Sequence, residues 1–294
     1  MSSLEPEIEN VYKILQPFPA QSIPVVFNSP HSGTIYPDNY GYASTLDLLR
    51  RTEDLYIDDL YADVTKLGAP LLACQFARSY IDVNRAEDDI DPDLLDADWP
   101  EKYEPTIRSA AGHGLVHRLI RAGFPIYNRR LNVSEVQDRI THFYRPYHAA
   151  LKNLLDDTHY NFGQVWHIDC HSMNSLSSKV GSAFSVKEAD FVLGDRDGTT
   201  CDPKFTREIK DFLSDLGYKV NINDPYKGVE LLKRYSNPQM GRHGLQIEIN
   251  KSLYLNEETQ EKSKNYSRLK SDLYKLSEFI AGWAEDQKIA QAAD

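Results

Sequence analysis

The stretch QVWHIDC, residues 164–170, is a short run of apolar, β-branched and aromatic residues, and His171 follows it directly. It reads as a buried strand that delivers a histidine at its C-terminal end. Upstream, Val136, Ile140, Phe143, Tyr147, Leu151 and Leu154 form an amphipathic helical stripe, with Ser134 and Gln137 as a capping-box pair and Pro146 expected to bend the helix. Downstream, DFVLG (190–194) reads as strand, 203–216 as a helix stopped by Gly217, and LQIEI (245–249) as the last strong strand. The tail sets Leu269, Leu273, Leu276, Ile280 and Trp283 on one helical face, which should pack across the body of the fold. Toward the N-terminus, IPVVFNS (23–29) reads as a strand closed by Pro30 and Gly33, so His31 lies just past its end. A helix is expected from near Thr52 to Leu67 with Gly68 as its C-cap, and residues 70–76 and 80–83 read as strand.

Strands that alternate with helices predict an α/β fold around a mixed, mostly parallel sheet flanked by helices. Residues 1–294 read as a single domain, and the aspartate-rich segment at about 86–112 as a long surface excursion that could serve as part of a lid. Composition narrows the function classes. An excess of 44 acidic over 33 basic residues gives a net charge of -11, which argues against a nucleic-acid partner. A small anionic substrate is compatible with that charge if a few arginines gather in one cleft. The apolar runs are too short for a membrane span, the N-terminus has no signal-like apolar stretch, and Cys74, Cys170 and Cys201 form no complete disulfide set. The expected location is the cytoplasm.

In an open α/β sheet, ligands bind beyond the carboxyl ends of the strands. His31 in NSPHSG, Arg85, His171 in IDCHSM and Glu248 in LQIEIN all fall there. A catalytic zinc needs three protein ligands, commonly histidines with a carboxylate, and one open position, and two histidines with one acid meet that need. Arg78, with the Asp82, Asn84 and Arg85 cluster, adds fixed donors of the kind that bind a carboxylate or an oxyanion.

The ordered blocks NSPHSG, TEDLYIDDLY, RSYIDVNRAEDD, GHGLVHR, YRPYHAAL, IDCHSM, LGDRDGTTCDP, NDPYKG and LQIEINKSLYL resemble those of the N-formylglutamate amidohydrolases, over residues 23–256. That family is similar in fold and site to the zinc carboxypeptidases and aspartoacylase. The resemblance implies one zinc ion held by His31, His171 and an acid, which is Asp54 in TEDLY with Glu53 as its rival. It further implies Glu248 as the proton-transferring base, Arg78 as the group polarising the scissile carbonyl, and Asn84 and Arg85 as holders of a substrate carboxylate. Arg118 and Lys227 lie in matched blocks and are further candidates for the substrate, and Asp169 is placed to orient His171.

The function so implied is zinc-dependent deformylation of N-formyl-L-glutamate to glutamate and formate, as in histidine breakdown. A second reading is another N-acyl-amino-acid amidohydrolase or a carboxypeptidase-like hydrolase acting on a small anionic N-acyl amino acid. A cysteine amidase built on Cys170 conflicts with strand geometry, because Cys170 and His171 must point to opposite faces. A non-catalytic protein with a structural metal would normally need a fourth protein ligand.

Overall fold

The structure is a computed structural model that describes residues 7–18, 22–178, 185–187 and 189–293. Eight strands form one sheet: β1 (Glu7–Ile8), β2 (Tyr12–Leu15), β3 (Val25–Ser29), β4 (Leu71–Cys74), β5 (Val165–Met173), β6 (Phe191–Gly194), β7 (Val220–Ile222) and β8 (Arg242–Asn250). Their spatial order is β1-β2-β4-β3-β5-β8-β6-β7. The four central strands β4, β3, β5 and β8 run parallel, while β2 on one flank and β6 on the other pair antiparallel to them. Parallelism brings the carboxyl ends of β3, β4, β5 and β8 to one edge, and that placement builds the site.

The strands alternate between two faces. Val25, Phe27, Trp166, Ile168, Cys170, Leu245, Ile247 and Ile249 share one apolar core. Besides a single turn at Ile107–Ala110, the described residues form the helices α1 (Leu46–Arg50), α2 (Ile57–Tyr61), α3 (Val133–Arg139), α4 (Arg145–Phe162), α5 (Pro203–Asp215), α6 (Glu230–Tyr235) and α7 (Tyr266–Ala293). α2, α5 and α7 cover that apolar face, with Leu60, Phe205, Ile209, Leu269, Leu273, Leu276 and Ile280 all buried. Each of the four buried α7 side chains contributes roughly 1.5–3 kcal/mol, and together they hold the tail across the sheet as its periodicity predicts. On the opposite face α3 and α4 supply Val136, Tyr147, Leu151, Leu154 and Leu155. No helix among the described residues is long and apolar enough to cross a membrane.

Several boundaries differ from the sequence expectation. The helix expected from near Thr52 to Leu67 is instead an irregular link that follows α1, then α2 and a 3-10 stretch over Ala62–Leu67. Tyr56 adopts a left-handed conformation (φ 66°), which separates α1 from α2 and leaves Glu53 and Asp54 in the link. Residues 80–83 are not a strand. Tyr80, Ile81, Asp82 and Val83 are all buried, so their apolar pattern reflects packing on every side and not a pleated face. The cap of α3 lies at Asn132 instead of Ser134, where the Glu135 carboxylate accepts the Asn132 N–H at 2.8 Å. Pro146 does not end the helix, because a wider π turn over Ile140–Tyr144 joins α3 to α4 just ahead of it. Within the expected surface excursion, Asp89, Ile90, Asp91, Leu94 and Leu95 are buried, while most of residues 96–108 are exposed.

Candidate metal centre

His31 follows β3 immediately, held where the chain turns beyond the sheet edge. His171 lies inside β5, which extends to Met173, three residues beyond the sequence expectation. Asp54 comes from the link before α2, anchored where its N–H donates to the His31 carbonyl at 2.9 Å. The three side chains converge. His31 Nδ1 and His171 Nδ1 are 3.1 Å apart, and Asp54 Oδ2 lies 3.1 Å from His171 Nδ1 and 3.5 Å from His31 Nδ1. All three residues are buried.

Behind each histidine stands a carboxylate. His31 Nε2 is 2.7 Å from Asp82 Oδ1, and His171 Nε2 is 3.0 Å from Asp169 Oδ2. Asp169 lies two residues before His171 on the same strand and so faces the same side. On His31 the Asp82 carboxylate makes Nε2 the protonated nitrogen and leaves Nδ1 a lone pair. Two imidazole nitrogens and a carboxylate oxygen thus converge in a buried space, an arrangement that can hold a cation among them. Against burial, hydrogen bonding with His171 and His31 holds the Asp54 carboxyl well below its usual range. Against burial likewise, the Asp169 carboxylate holds the His171 proton affinity well above that of an ordinary imidazole. A tetrahedral ion at zinc distances would separate its ligand atoms by roughly 3.3 Å, and the three observed separations bracket that value. His31, Asp54 and His171 therefore fit a metal ion.

Glu53, the alternative to Asp54, points elsewhere. Tyr36 donates its hydroxyl to Glu53 Oε1, and Arg50 Nε lies 3.8 Å from Oε2. Burial pushes its carboxyl up to about 7. Asp54 Oδ1 accepts instead from Ser172 Oγ at 3.1 Å, which fixes the rotamer that faces the histidines.

Glu248 is the register partner of His171 on the adjacent strand β8, so its carboxyl stands beside the centre without joining it. Gln246 Nε2 donates to Glu248 Oε1 at 2.8 Å and holds it in place. Burial first, with further repulsion from Asp54 and Asp169, outweighs attraction from His171 and Arg78 and raises the Glu248 carboxyl to about 8. β8 is a central strand, so Glu248 is not an edge-strand carboxylate. Cys170 faces the apolar core, and burial pushes its thiol well above the range of a nucleophile.

A cleft of about 1170 Å³ opens over these groups. Its lining includes Arg50, Arg51, Arg78, Arg85, Arg108, Arg121, Lys227 and Lys251 against only Asp54, Glu248 and Glu257. On a chain of net charge -11, this local excess of cations marks a site for an anionic ligand. Arg78 Nη2 donates to Asp82 Oδ2 at 2.8 Å, while its Nε is buried without a partner. Arg85 Nε donates to the His113 carbonyl at 3.0 Å and Nη1 to the Asn84 carbonyl at 2.9 Å. Asn84 Oδ1 accepts from Leu231 N at 3.0 Å, and its Nδ2 lies 3.2 Å from His171 Nε2. Lys227 pairs with Asp197 at 2.9 Å on the rim. Arg118 stands outside the cleft, tied to Asp91 at 2.7 Å, because the segment expected to be a surface excursion folds back and supplies its partner.

Asp82 collects more contacts than its place in a donor cluster suggests. Besides His31 and Arg78, it accepts from Asn84 N at 2.9 Å and lies 3.2 Å from His117 Nε2. Asp82→Asn is expected to weaken metal binding by about 10- to 100-fold, since the amide no longer fixes the His31 tautomer or raises its basicity. Metal affinity measured by competition with a chelating dye checks this, and an unaltered affinity would detach Asp82 from the centre. His117 lies in the block GHGLVHR, and Gln246 and Lys251 in LQIEINKSLYL, but little in those blocks singles them out. The one available signal is the two-residue spacing of Gln246 from Glu248, which sets both on one strand face.

A parallel-centred sheet that gathers two histidines, a carboxylate ligand and a neighbouring glutamate at its carboxyl edge defines an α/β protein of hydrolase type with a buried candidate metal centre. The N-formylglutamate amidohydrolase family profile matches residues 23–255, and the chain belongs to that family. It is similar to the N-formylglutamate amidohydrolase of Ralstonia eutropha JMP134, a crystal structure, with 40% identity, a TM-score of 0.89, and coverage of 95% of this chain and 99% of the other. It is 28% identical to an N-formylglutamate deformylase of Pseudomonas putida, over 80% of this chain and 83% of that protein. A Pseudomonas aeruginosa protein of the same name is 27% identical over 80% and 84%.

Proposed function

We propose that the protein is a zinc-dependent deformylase that hydrolyses N-formyl-L-glutamate to L-glutamate and formate. The observation that carries this reading is the convergence of His31, Asp54 and His171 beside Glu248, in a cleft lined by cations. The names of the similar proteins supply the substrate. His31, Asp54 and His171 would hold the ion through two nitrogens and an oxygen, a donor set suited to zinc, with three protein ligands leaving a position open. When bound there, the ion supplies Lewis acidity toward the formyl carbonyl and the attacking water.

The chain's own groups do the rest. Glu248 takes a proton from the water as its oxygen bonds to the formyl carbon, and returns it to the amide nitrogen as the C–N bond breaks. A carboxyl raised by burial toward neutral pH suits both halves of that transfer. Arg78 directs its guanidinium into the cleft, held by Asp82, and stabilises the oxygen that gains charge. Arg85 contributes positive potential for a substrate carboxylate. On this reading the reaction serves histidine breakdown, and three buried, unpaired cysteines suit the reducing cytoplasm.

The test is formate release. Metal-loaded protein should release formate from N-formyl-L-glutamate faster than from N-formylglycine, and a chelator should stop it. Fully loaded protein that releases none would overturn the reading.

A further inference from the structure

Lys251 is the first residue beyond β8, three positions after Glu248, and it is 7% exposed while lining the cleft. An ammonium carries three N–H donors and no acceptor. Among the described residues the protein offers it one distant acceptor, the Arg51 carbonyl at 3.5 Å, and no carboxylate within ion-pairing distance. Every acid near it is engaged elsewhere. Asp54 faces His31 and His171, Glu53 takes the Tyr36 hydroxyl, Glu248 takes the Gln246 amide, and Glu257 accepts the Ser175 N–H at 3.2 Å.

Burying a charged amine without a partner is costly, and burial accordingly lowers the Lys251 proton affinity. That cost persists in a folded protein when a ligand of opposite charge repays it on binding. Arg78 and Arg85 occupy the Asp82 side of the centre, whereas Lys251 is tied to Arg51 in the link that carries Asp54. Besides Arg78 and Arg85, the cleft thus holds a further buried cation, on the Arg51 side. A substrate with a single carboxylate leaves part of this positive charge uncompensated.

We infer that Lys251 is a specificity-determining residue that binds the side-chain carboxylate of an N-acylated acidic amino acid, the other carboxylate being held on the Arg85 side. The inference rests on the proposed hydrolase reading and deepens it. It makes the site selective for a dicarboxylate, because a neutral side chain leaves the buried ammonium unpaired while a carboxylate completes it.

Lys251→Met keeps the length of the side chain and removes its charge. For N-formyl-L-glutamate it is expected to lower kcat/KM by roughly 10- to 100-fold, mainly through KM, the range for losing a charged hydrogen bond. N-formyl-L-glutamine, uncharged at that position, should be turned over by the variant about as well as by the parent, so the preference for glutamate collapses. Lys251→Arg should retain part of the preference. Calorimetric binding of L-glutamate against L-glutamine to the metal-loaded proteins gives a readout independent of turnover, with the parent favouring glutamate and Lys251→Met losing that difference. If the parent releases no formate, the deformylase reading fails while the calorimetric comparison still tests Lys251. Equal losses on both substrates, or a glutamate preference that survives in Lys251→Met, would overturn the assignment.

Discussion

Asp54→Ala is expected to lose the bound metal and with it nearly all turnover, whereas Glu53→Ala should keep the metal. The two acids are adjacent in sequence and both buried, yet only Asp54 has an oxygen among the imidazole nitrogens. Removing it leaves two neutral donors to hold a divalent ion, without the negative charge that offsets the ion's desolvation. Glu53 serves Tyr36 and Arg50 instead, so its loss should appear in thermal stability and not in metal content. His31→Ala and His171→Ala should behave like Asp54→Ala. Metal per chain after dialysis against a mild chelator, measured by mass spectrometry beside formate release, separates the cases. A metal-free Glu53→Ala with a loaded Asp54→Ala would reverse the assignment.

The sequence made part of this site legible and hid the rest for identifiable reasons. β3, β5 and β8 announce themselves as β-branched and aromatic runs, and their parallel arrangement places His31, His171 and Glu248 at one edge. Strand alternation also separates Cys170 from His171 without any coordinates. The choice between Asp54 and Glu53 depends on the link between α1 and α2, where a left-handed Tyr56 breaks a helical pattern that side-chain spacing alone suggests continuing. Tyr80 to Val83 read as a strand from their apolar residues, but the chain turns there and Asp82 reaches His31. Nothing within the block LQIEINKSLYL singles out Lys251, because its significance lies in what fails to surround it. A missing partner becomes visible only when the neighbouring acids are seen to be engaged with other groups.

Glu248→Gln is the substitution that separates hydrolysis from metal binding alone. Glu248 is not one of the three converging candidate ligands, yet register fixes it directly beside His171. Its Oε1 accepts from Gln246, and a glutamine there retains a carbonyl oxygen to accept the same bond, so position and packing are preserved. The variant cannot take a proton from water or return one to the departing nitrogen. Positioned proton transfer commonly contributes about 10² to 10⁴ in rate, and kcat should fall by roughly that factor. KM for N-formyl-L-glutamate should change little, because the lost interaction develops only as bonds to the formyl carbon form and break. Metal content should match the parent. The combination of full metal occupancy, near-parental KM and a collapsed kcat is expected only of a proton-transfer group. Loss of metal would instead make Glu248 a ligand, and unaltered kcat would require another base in the cleft, where His117 lies closest to the charged network through Asp82.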